Sequence, residues 1–118
     1  MPELTSAMME AACEQYVSLV GDDDVDALMA LFADDCSIED PVGSDRHVGR
    51  DAVRAFYATL PASGVSATLS GPVCAVPDAR AAAFPFDIDT GGFVMQVIDV
   101  MTFDDEGKVS SMTAYWKM

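Results

Sequence analysis

Four side chains of this sequence could together move a proton: the carboxyl groups of Asp40 and Asp99 and the phenols of Tyr16 and Tyr57. An ionised carboxylate can accept a proton as a general base. Neutral hydroxyl and carboxylic acid groups can donate hydrogen bonds to an oxyanion. If the fold encloses all four, the sequence predicts an apolar pocket that transfers protons beside a stabilised oxyanion.

Asp99 lies within an apolar stretch from Phe93 to Phe103. In a β-strand successive side chains point to opposite faces, so Asp99 is the only polar residue in its row. The opposite row is also mostly apolar, and we therefore expect a strand inside the sheet that is covered on both faces. Three states are open to the carboxyl: an ion pair, protonation caused by burial, or contact with water at a sheet rim. None of the six Lys and Arg residues lies in the stretch, which favours the protonated acid over the ion pair.

The first half of the chain carries the hydrophobic spacing of three amphipathic helices. Tyr16 is on the inward stripe of the first helix and Tyr57 on that of the third. A short strand from Cys36 to Pro41 should precede the third helix and hold Asp40, since the residue before a proline favours extended backbone. The predicted helices run from Thr5 to Val20, from Asp23 or Asp24 to Ala33, and from Arg50 or Asp51 to about Leu60, where Pro61 ends the third.

The second half changes to a period of two and predicts four antiparallel strands joined by tight turns. Helices followed by a meander indicate an α+β fold, with three N-terminal helices packed on one side of a curved, mainly antiparallel sheet. At this length we expect a single domain over residues 1–118. The predicted strands are Val65 to Val76, Arg80 to Asp89, Phe93 to Phe103 and Val109 to Trp116. The candidate pocket-lining residues from the sheet are Phe84, Phe86, Met112, Ala114 and Trp116.

Composition excludes several classes of function. The formal charge of −14 argues against nucleic acid or an anionic membrane surface as a partner. Neither a signal peptide nor a membrane span is recognisable, so we expect a cytoplasmic protein. The three cysteines form no CxxC pair and there is a single histidine, His47, which argues against a zinc site and against a Ser-His or Cys-His nucleophile.

Two widely separated segments, Ile38-Glu-Asp-Pro-Val-Gly43 and Val97-Ile-Asp-Val-Met101, contain the two carboxyls. With further pieces such as Ala55-Phe-Tyr57 and Ala114-Tyr-Trp116, they closely resemble the bacterial ketosteroid isomerases, or steroid Δ-isomerases. The similarity runs from about residue 10 to residue 117. The resemblance implies a cone-shaped α+β barrel of the nuclear transport factor 2-like superfamily, a homodimer, and activity on a small hydrophobic ketosteroid without any cofactor.

The resemblance also implies a role for each candidate residue. Asp40 would take a proton from C4 of a Δ5-3-ketosteroid and return it at C6. Tyr16 and protonated Asp99 would donate hydrogen bonds to the 3-oxygen of the intermediate dienolate. Tyr57 would support Tyr16, and Trp116 would lie near the base and help to position it. Ketosteroid isomerases are an established example of a neutral aspartic acid donor, so this role of Asp99 follows from the resemblance.

Two alternative functions stay open, and the sequence departs from the family pattern at one position that bears on the site. The chain could be another enzyme of the same superfamily, such as a polyketide cyclase or an epoxide hydrolase, although the joint presence of Tyr16, Asp40 and Asp99 argues against it. It could also be a non-catalytic dimer that binds a hydrophobic ligand, because a fold does not fix a function. Family members often carry a third tyrosine where this chain has Phe32, so we expect a shorter phenol network in which Tyr57 alone supports Tyr16.

Overall fold

Helices dominate the first half of the chain and strands the second half. The computed structural model describes residues 3–60 and 64–117. The helices are α1 (Ser6–Leu19), α2 (Val25–Met29) and α3 (Arg50–Ala58). The strands are β1 (Phe32–Glu39), β2 (His47–Val48), β3 (Ser66–Leu69), β4 (Cys74–Val76), β5 (Ala81–Asp89), β6 (Val94–Phe103) and β7 (Val109–Lys117). The predicted α+β class is confirmed.

The helix starts follow the capping signals in the sequence. The Thr5 hydroxyl accepts a hydrogen bond from the backbone of Met8, and Asp24 does the same for Ala27 at the start of α2. The predicted bounds of α1 are therefore confirmed to within one residue at each end. Pro61, predicted to end the third helix, lies outside the described residues.

The second helix is shorter than predicted, and the first strand begins earlier. Helix α2 ends at Met29 rather than Ala33, because Phe32 pairs with Val109 of β7 in a parallel ladder. The Val109 N–H also donates to the carbonyl of Leu31 at 2.8 Å. Pairing with a distant strand here overrides a local helical pattern.

The strands form one mixed sheet in the order β2-β1-β7-β6-β5-β3, with β4 also paired to β5. The β1–β7 pair is parallel and all other pairs are antiparallel. The predicted strand from Val65 to Val76 is split into β3 and β4, since Gly71 and Pro72 interrupt it. Within the described ranges the terminal strands β2 and β3 do not pair with each other, so the cone-shaped barrel implied by the resemblance is open on that side and not closed.

One face of the sheet carries the core and the other is exposed. Along β6 the inward row, which includes Val97 and Asp99, is buried against the helices. In the outward row Val94 is 54% exposed and Ile98 is 49% exposed. The prediction of an interior strand is confirmed, because β6 lies between β5 and β7. The prediction that both faces are covered is wrong for the single chain, because the helices pack on one side only.

Candidate active site

A cavity of about 210 Å³ lies between the helices and the inner face of the sheet. Tyr16, Asp40, Tyr57 and Asp99 all line it, although they come from separate parts of the chain: α1, the residue directly after β1, α3 and β6. The remaining described lining is apolar apart from Thr90 and the indole of Trp116. The fold therefore brings the four proton-transfer candidates into one apolar enclosure.

The sheet side of this cavity is set by strand register. Phe86, Val97 and Trp116 are direct cross-strand neighbours on β5, β6 and β7, and all three line the cavity. Asp99 lies one inward position further along β6, level with Phe84 and Ala114. The site thus has a deep end at Asp99.

Three of the residues predicted to line the pocket lie in the core beside the cavity instead. Phe84, Met112 and Ala114 are at most 1% exposed and are not among the described residues that line the cavity. Phe84 packs its ring 6.0 Å from that of Tyr16 and 5.7 Å from that of Phe86, measured between centroids. These residues point inward as predicted, but their side chains pack against other core residues around the deep end of the cavity and do not line it.

Several lining residues were not predicted. Met95 shares the inward row of Asp99, and Phe56 precedes Tyr57 on α3, so the strand and helix periods contained a signal for both. Val20 is the C-cap residue of α1, four residues after Tyr16, so the helical period contained a signal for it as well. Leu60 extends the inward stripe of the third helix, three residues after Tyr57, whereas no helical or strand period points to Val65, which directly precedes β3.

Asp99 is buried without a hydrogen-bond partner. Its side chain is 1% exposed, and neither carboxyl oxygen has a partner within the described part of the chain. The sheet-rim alternative is therefore excluded, and no described ion pair includes this residue. Burial raises the pKa of Asp99 well above its usual range, the negative charge of Asp40 raises it further, and the nearby Tyr16 hydroxyl acts in the opposite direction. These surroundings favour a neutral carboxylic acid with a free O–H donor.

Tyr16 and Tyr57 form a pair of hydrogen-bonded phenols. Their hydroxyl oxygens are 2.8 Å apart, and both residues are 2% exposed. Burial, and then the negative charges around them, raise the pKa of both phenols well above the usual value, so both stay neutral. A hydroxyl can accept one hydrogen bond and still donate its own proton. If Tyr57 donates to Tyr16, the Tyr16 hydroxyl remains free to donate into the cavity.

Phe32 packs against both phenols without extending their network. Its ring centroid is 5.6 Å from that of Tyr57 and 6.3 Å from that of Tyr16. The residue is 2% exposed, so this place is filled by a phenyl ring rather than by water. Tyr57 is accordingly the only described side chain that hydrogen-bonds the Tyr16 hydroxyl.

Asp40 is in a more polar environment than Asp99. It follows β1 directly and is partly exposed, and its Oδ1 accepts a hydrogen bond from Trp116 Nε1 at 2.8 Å. Burial raises the pKa of Asp40, while the Trp116 hydrogen bond and the nearby His47 lower it. One carboxyl of the cavity therefore accepts a hydrogen bond that stabilises its charge, and the other has no hydrogen-bond partner in the described part of the chain. This difference makes Asp40 the candidate base and Asp99 the candidate acid.

Comparison with known proteins agrees with this geometry. Residues 13–112 match the model of the SnoaL-like domain family. The chain belongs to the SnoaL-like family. A curated relative of this SnoaL-like protein is the steroid Delta-isomerase of Nocardioides simplex, which is 41% identical over 113 residues, or 94% of this chain and 91% of the relative.

A solved structure supports the same fold. It is that of SalBIII, an epoxide hydrolase/cyclase-like enzyme described as having a role in pyran ring formation in the polyether salinomycin. The match has a TM-score of 0.82 and 28% identity, and it covers 95% of this chain and 92% of that one. The two similar proteins are named for different activities, so the side chains of the cavity must decide between these activities.

The described part of this SnoaL-like protein shows neither a metal site nor a membrane-spanning helix. Among the described residues no group of three or more His, Cys, Asp and Glu side chains is arranged to hold a metal ion. No described helix has both the length and the apolar character needed to cross a membrane. Cys13 and Cys36 are buried free thiols, and Cys74 is exposed.

Proposed function

We propose that this SnoaL-like protein is a steroid Δ-isomerase that converts Δ5-3-ketosteroids to Δ4-3-ketosteroids. The observation that carries the proposal is the arrangement of a hydrogen-bonded carboxylate, Asp40, and an unpartnered buried carboxyl, Asp99, in one apolar cavity with Tyr16. The Nocardioides relative of that name supports it.

In the proposed reaction Asp40 accepts a proton from C4 of the steroid. The C–H bond electrons form a new C3–C4 double bond, and the electrons of the carbonyl π bond move to the 3-oxygen. The resulting dienolate is stabilised because Tyr16 and neutral Asp99 donate hydrogen bonds to that oxygen, in surroundings of low dielectric constant. Asp40 then returns the proton to C6: the electrons of the C5–C6 double bond form the new C6–H bond, those of the C3–C4 double bond move to C4–C5, and the C3 carbonyl re-forms. The base is regenerated, and the sequence of steps needs no cofactor.

Neighbouring side chains have supporting roles in this proposal. Tyr57 orients the Tyr16 hydroxyl by the hydrogen bond between them. Trp116 holds the carboxylate of Asp40 through its indole N–H. Phe86, with the other apolar lining, contacts the steroid body, while Phe84, Met112 and Ala114 support the wall from behind.

We also propose that the protein is a homodimer. The outer face of the sheet exposes large apolar side chains, with Ile98 at 49% and Tyr115 at 48% exposure. A second copy of the chain on this face would remove that surface from water, which is favourable in proportion to the apolar area. The molar mass from light scattering tests the proposal, with a monomer at micromolar concentration as the contrary result.

The direct test of function is the ultraviolet absorption of 5-androstene-3,17-dione mixed with the protein. Many turnovers to the conjugated enone are expected from the wild type and almost none from Asp40→Asn. A stoichiometric change only would favour a non-catalytic ligand-binding protein. Because SalBIII is described as epoxide hydrolase/cyclase-like, a hydroxy-epoxide should be assayed in parallel. Its opening without any steroid isomerisation would favour the cyclase or hydrolase alternative.

A further inference from the structure

The loop that follows Asp40 is folded back onto the strand that precedes it. Strand β1 ends at Glu39, and the loop continues until β2 begins at His47. The Glu39 Oε2 atom accepts a hydrogen bond from the backbone N–H of Gly43 at 2.6 Å. Within the loop, Ser44 donates to the carbonyl of Pro41 from both its N–H and its hydroxyl. The side chain immediately before the proposed base thus closes the turn immediately after it.

The same loop is attached to the strand that carries Trp116. The N–H of Val42 donates to the carbonyl of Ala114 on β7 at 2.8 Å. Glu39 is itself paired with Thr113 of β7 in the parallel ladder. The backbone on both sides of Asp40 is therefore fixed relative to β7. This anchoring sets the separation between the Asp40 carboxylate and the indole of Trp116.

The Gly43 contact is the stronger of the two contacts that Glu39 makes through its side chain. A hydrogen bond from a backbone N–H to a carboxylate is short and roughly twice as strong as a neutral one. Gly43 has a φ of +93°, a backbone conformation that favours glycine, and in this conformation its N–H points to the Glu39 carboxylate. The other contact, from Arg46 NH1 to Glu39 Oε1, is 4.0 Å long and the Arg46 side chain is 37% exposed. An exposed ion pair of this length contributes little.

Glu39 does not belong to the cavity. Consecutive side chains of an extended strand point to opposite faces, so Glu39 points away from the face towards which Asp40 points. It is not among the described residues that line the cavity. Any effect of Glu39 on a reaction must therefore be transmitted through the loop.

We propose that Glu39 is a positioning residue, whose carboxylate holds the Asp40 loop closed and so keeps the base aligned with Trp116 and with the substrate carbon. Its effect on turnover rests on the proposed isomerase function, whereas its effect on Asp40 does not. Loss of the Gly43 contact frees the loop and weakens the Trp116–Asp40 hydrogen bond. Because that hydrogen bond lowers the pKa of Asp40, loosening it raises the pKa of Asp40.

The test compares Glu39→Ala with two matched variants. Glu39→Gln keeps an oxygen that can accept from Gly43, and Arg46→Ala removes only the weak ion pair. We expect Glu39→Ala to lower kcat by about 10- to 100-fold, the scale for a small misplacement of a catalytic group, with KM changed by less than about twofold. Glu39→Gln should restore most of the rate, and Arg46→Ala should match the wild type.

A second readout needs no turnover. Trp116 is the only tryptophan, so its indole N–H gives one cross-peak in a nitrogen-15 correlation spectrum. The pH titration of this peak reports the ionisation of Asp40. The ionisable groups near Asp40 include His47, Asp99 and the two phenols, so the Asp40 step is identified as the one lost in Asp40→Asn. We expect this step to move to higher pH in Glu39→Ala and to stay in place in Glu39→Gln and Arg46→Ala.

The outcomes separate the two proposals. An unchanged kcat together with an unchanged Asp40 step in Glu39→Ala would overturn the positioning role. A shifted step in a protein that never isomerises steroids would leave the positioning role standing and remove the proposed function. If Glu39→Ala does not fold, Glu39→Met replaces it, because methionine keeps the side-chain length and lacks a carboxylate.

Discussion

Replacing Asp99 by leucine should make the protein more stable and less active at neutral pH. The wild-type carboxyl is 1% exposed and has no hydrogen-bond partner among the described residues. Leaving a polar group buried without a partner costs about 1–3 kcal/mol. Removing one donor to an oxyanion costs about 10²- to 10³-fold in turnover, or roughly 3–4 kcal/mol. Under the proposed function, the role of Asp99 as an oxyanion donor accounts for the presence of such a group in the fold.

The stability difference should depend on pH in a defined direction. The pKa of Asp99 is raised in the folded chain by burial and by Asp40, whereas in the unfolded chain an aspartate ionises near pH ~3.9. Between the two pKa values the folded protein binds the proton and the unfolded chain does not. The free energy of unfolding therefore falls as pH rises through this window, by about 1.4 kcal/mol per pH unit from this group. Below the unfolded pKa both states are protonated, and the penalty disappears.

Urea unfolding at several pH values between 4 and 7 measures this effect as the difference between the wild type and Asp99→Leu. The advantage of the variant should grow with pH. Asp99→Asn is the control of matched volume: it cannot ionise and should show the same trend, yet it keeps an N–H donor and should lose less activity. A stability difference that does not change with pH, or an Asp99→Leu variant with wild-type turnover, would refute the reasoning.

Three further predictions concern the other polar groups of the cavity. Tyr16→Phe should lower turnover by about 10²- to 10³-fold because it removes the second oxyanion donor; a rate within about threefold of wild type would contradict that role. Phe32→Tyr should place a third hydroxyl beside Tyr57, and it should alter both the turnover and the phenol pKa values seen by ultraviolet titration. No change in either quantity would count against the interpretation that Tyr57 alone supports Tyr16. The wild-type kcat should rise with pH through the raised pKa of Asp40, because the base acts when ionised. Asp40→Asn should remove this pH-dependent rise together with most of the rate. A wild-type rate that falls over the same pH range would be inconsistent with a carboxylate base.

The sequence was most informative where one local rule was sufficient. Period-two alternation put Asp99 in the buried row of β6, and the helical spacing of apolar residues located the start of the first helix at about Thr5, the N-cap of α1. The inward stripes of α1 and α3 likewise directed Tyr16 and Tyr57 towards the same interior, where the structure joins their hydroxyls.

The sequence failed where a distant partner decides the local structure. Phe32 and Ala33 continue a helical pattern, yet pairing of Phe32 with Val109 makes that segment a strand. The open sheet could not be read from the sequence either, because closure depends on whether β2 and β3 meet. Phe84, Met112 and Ala114 point inward as expected, but their separation from the cavity depends on how the surrounding rings pack. The closing contact between Glu39 and Gly43 depends on a turn that composition alone does not specify.

The protonation state of Asp99 in the resting protein tests the central claim most directly. Infrared difference spectra of the wild type minus Asp99→Asn, recorded at pH 7 without ligand, isolate the signal of this carboxyl. We expect the carbonyl stretch of a neutral, weakly hydrogen-bonded carboxylic acid. The paired stretches of an ionised carboxylate would contradict it.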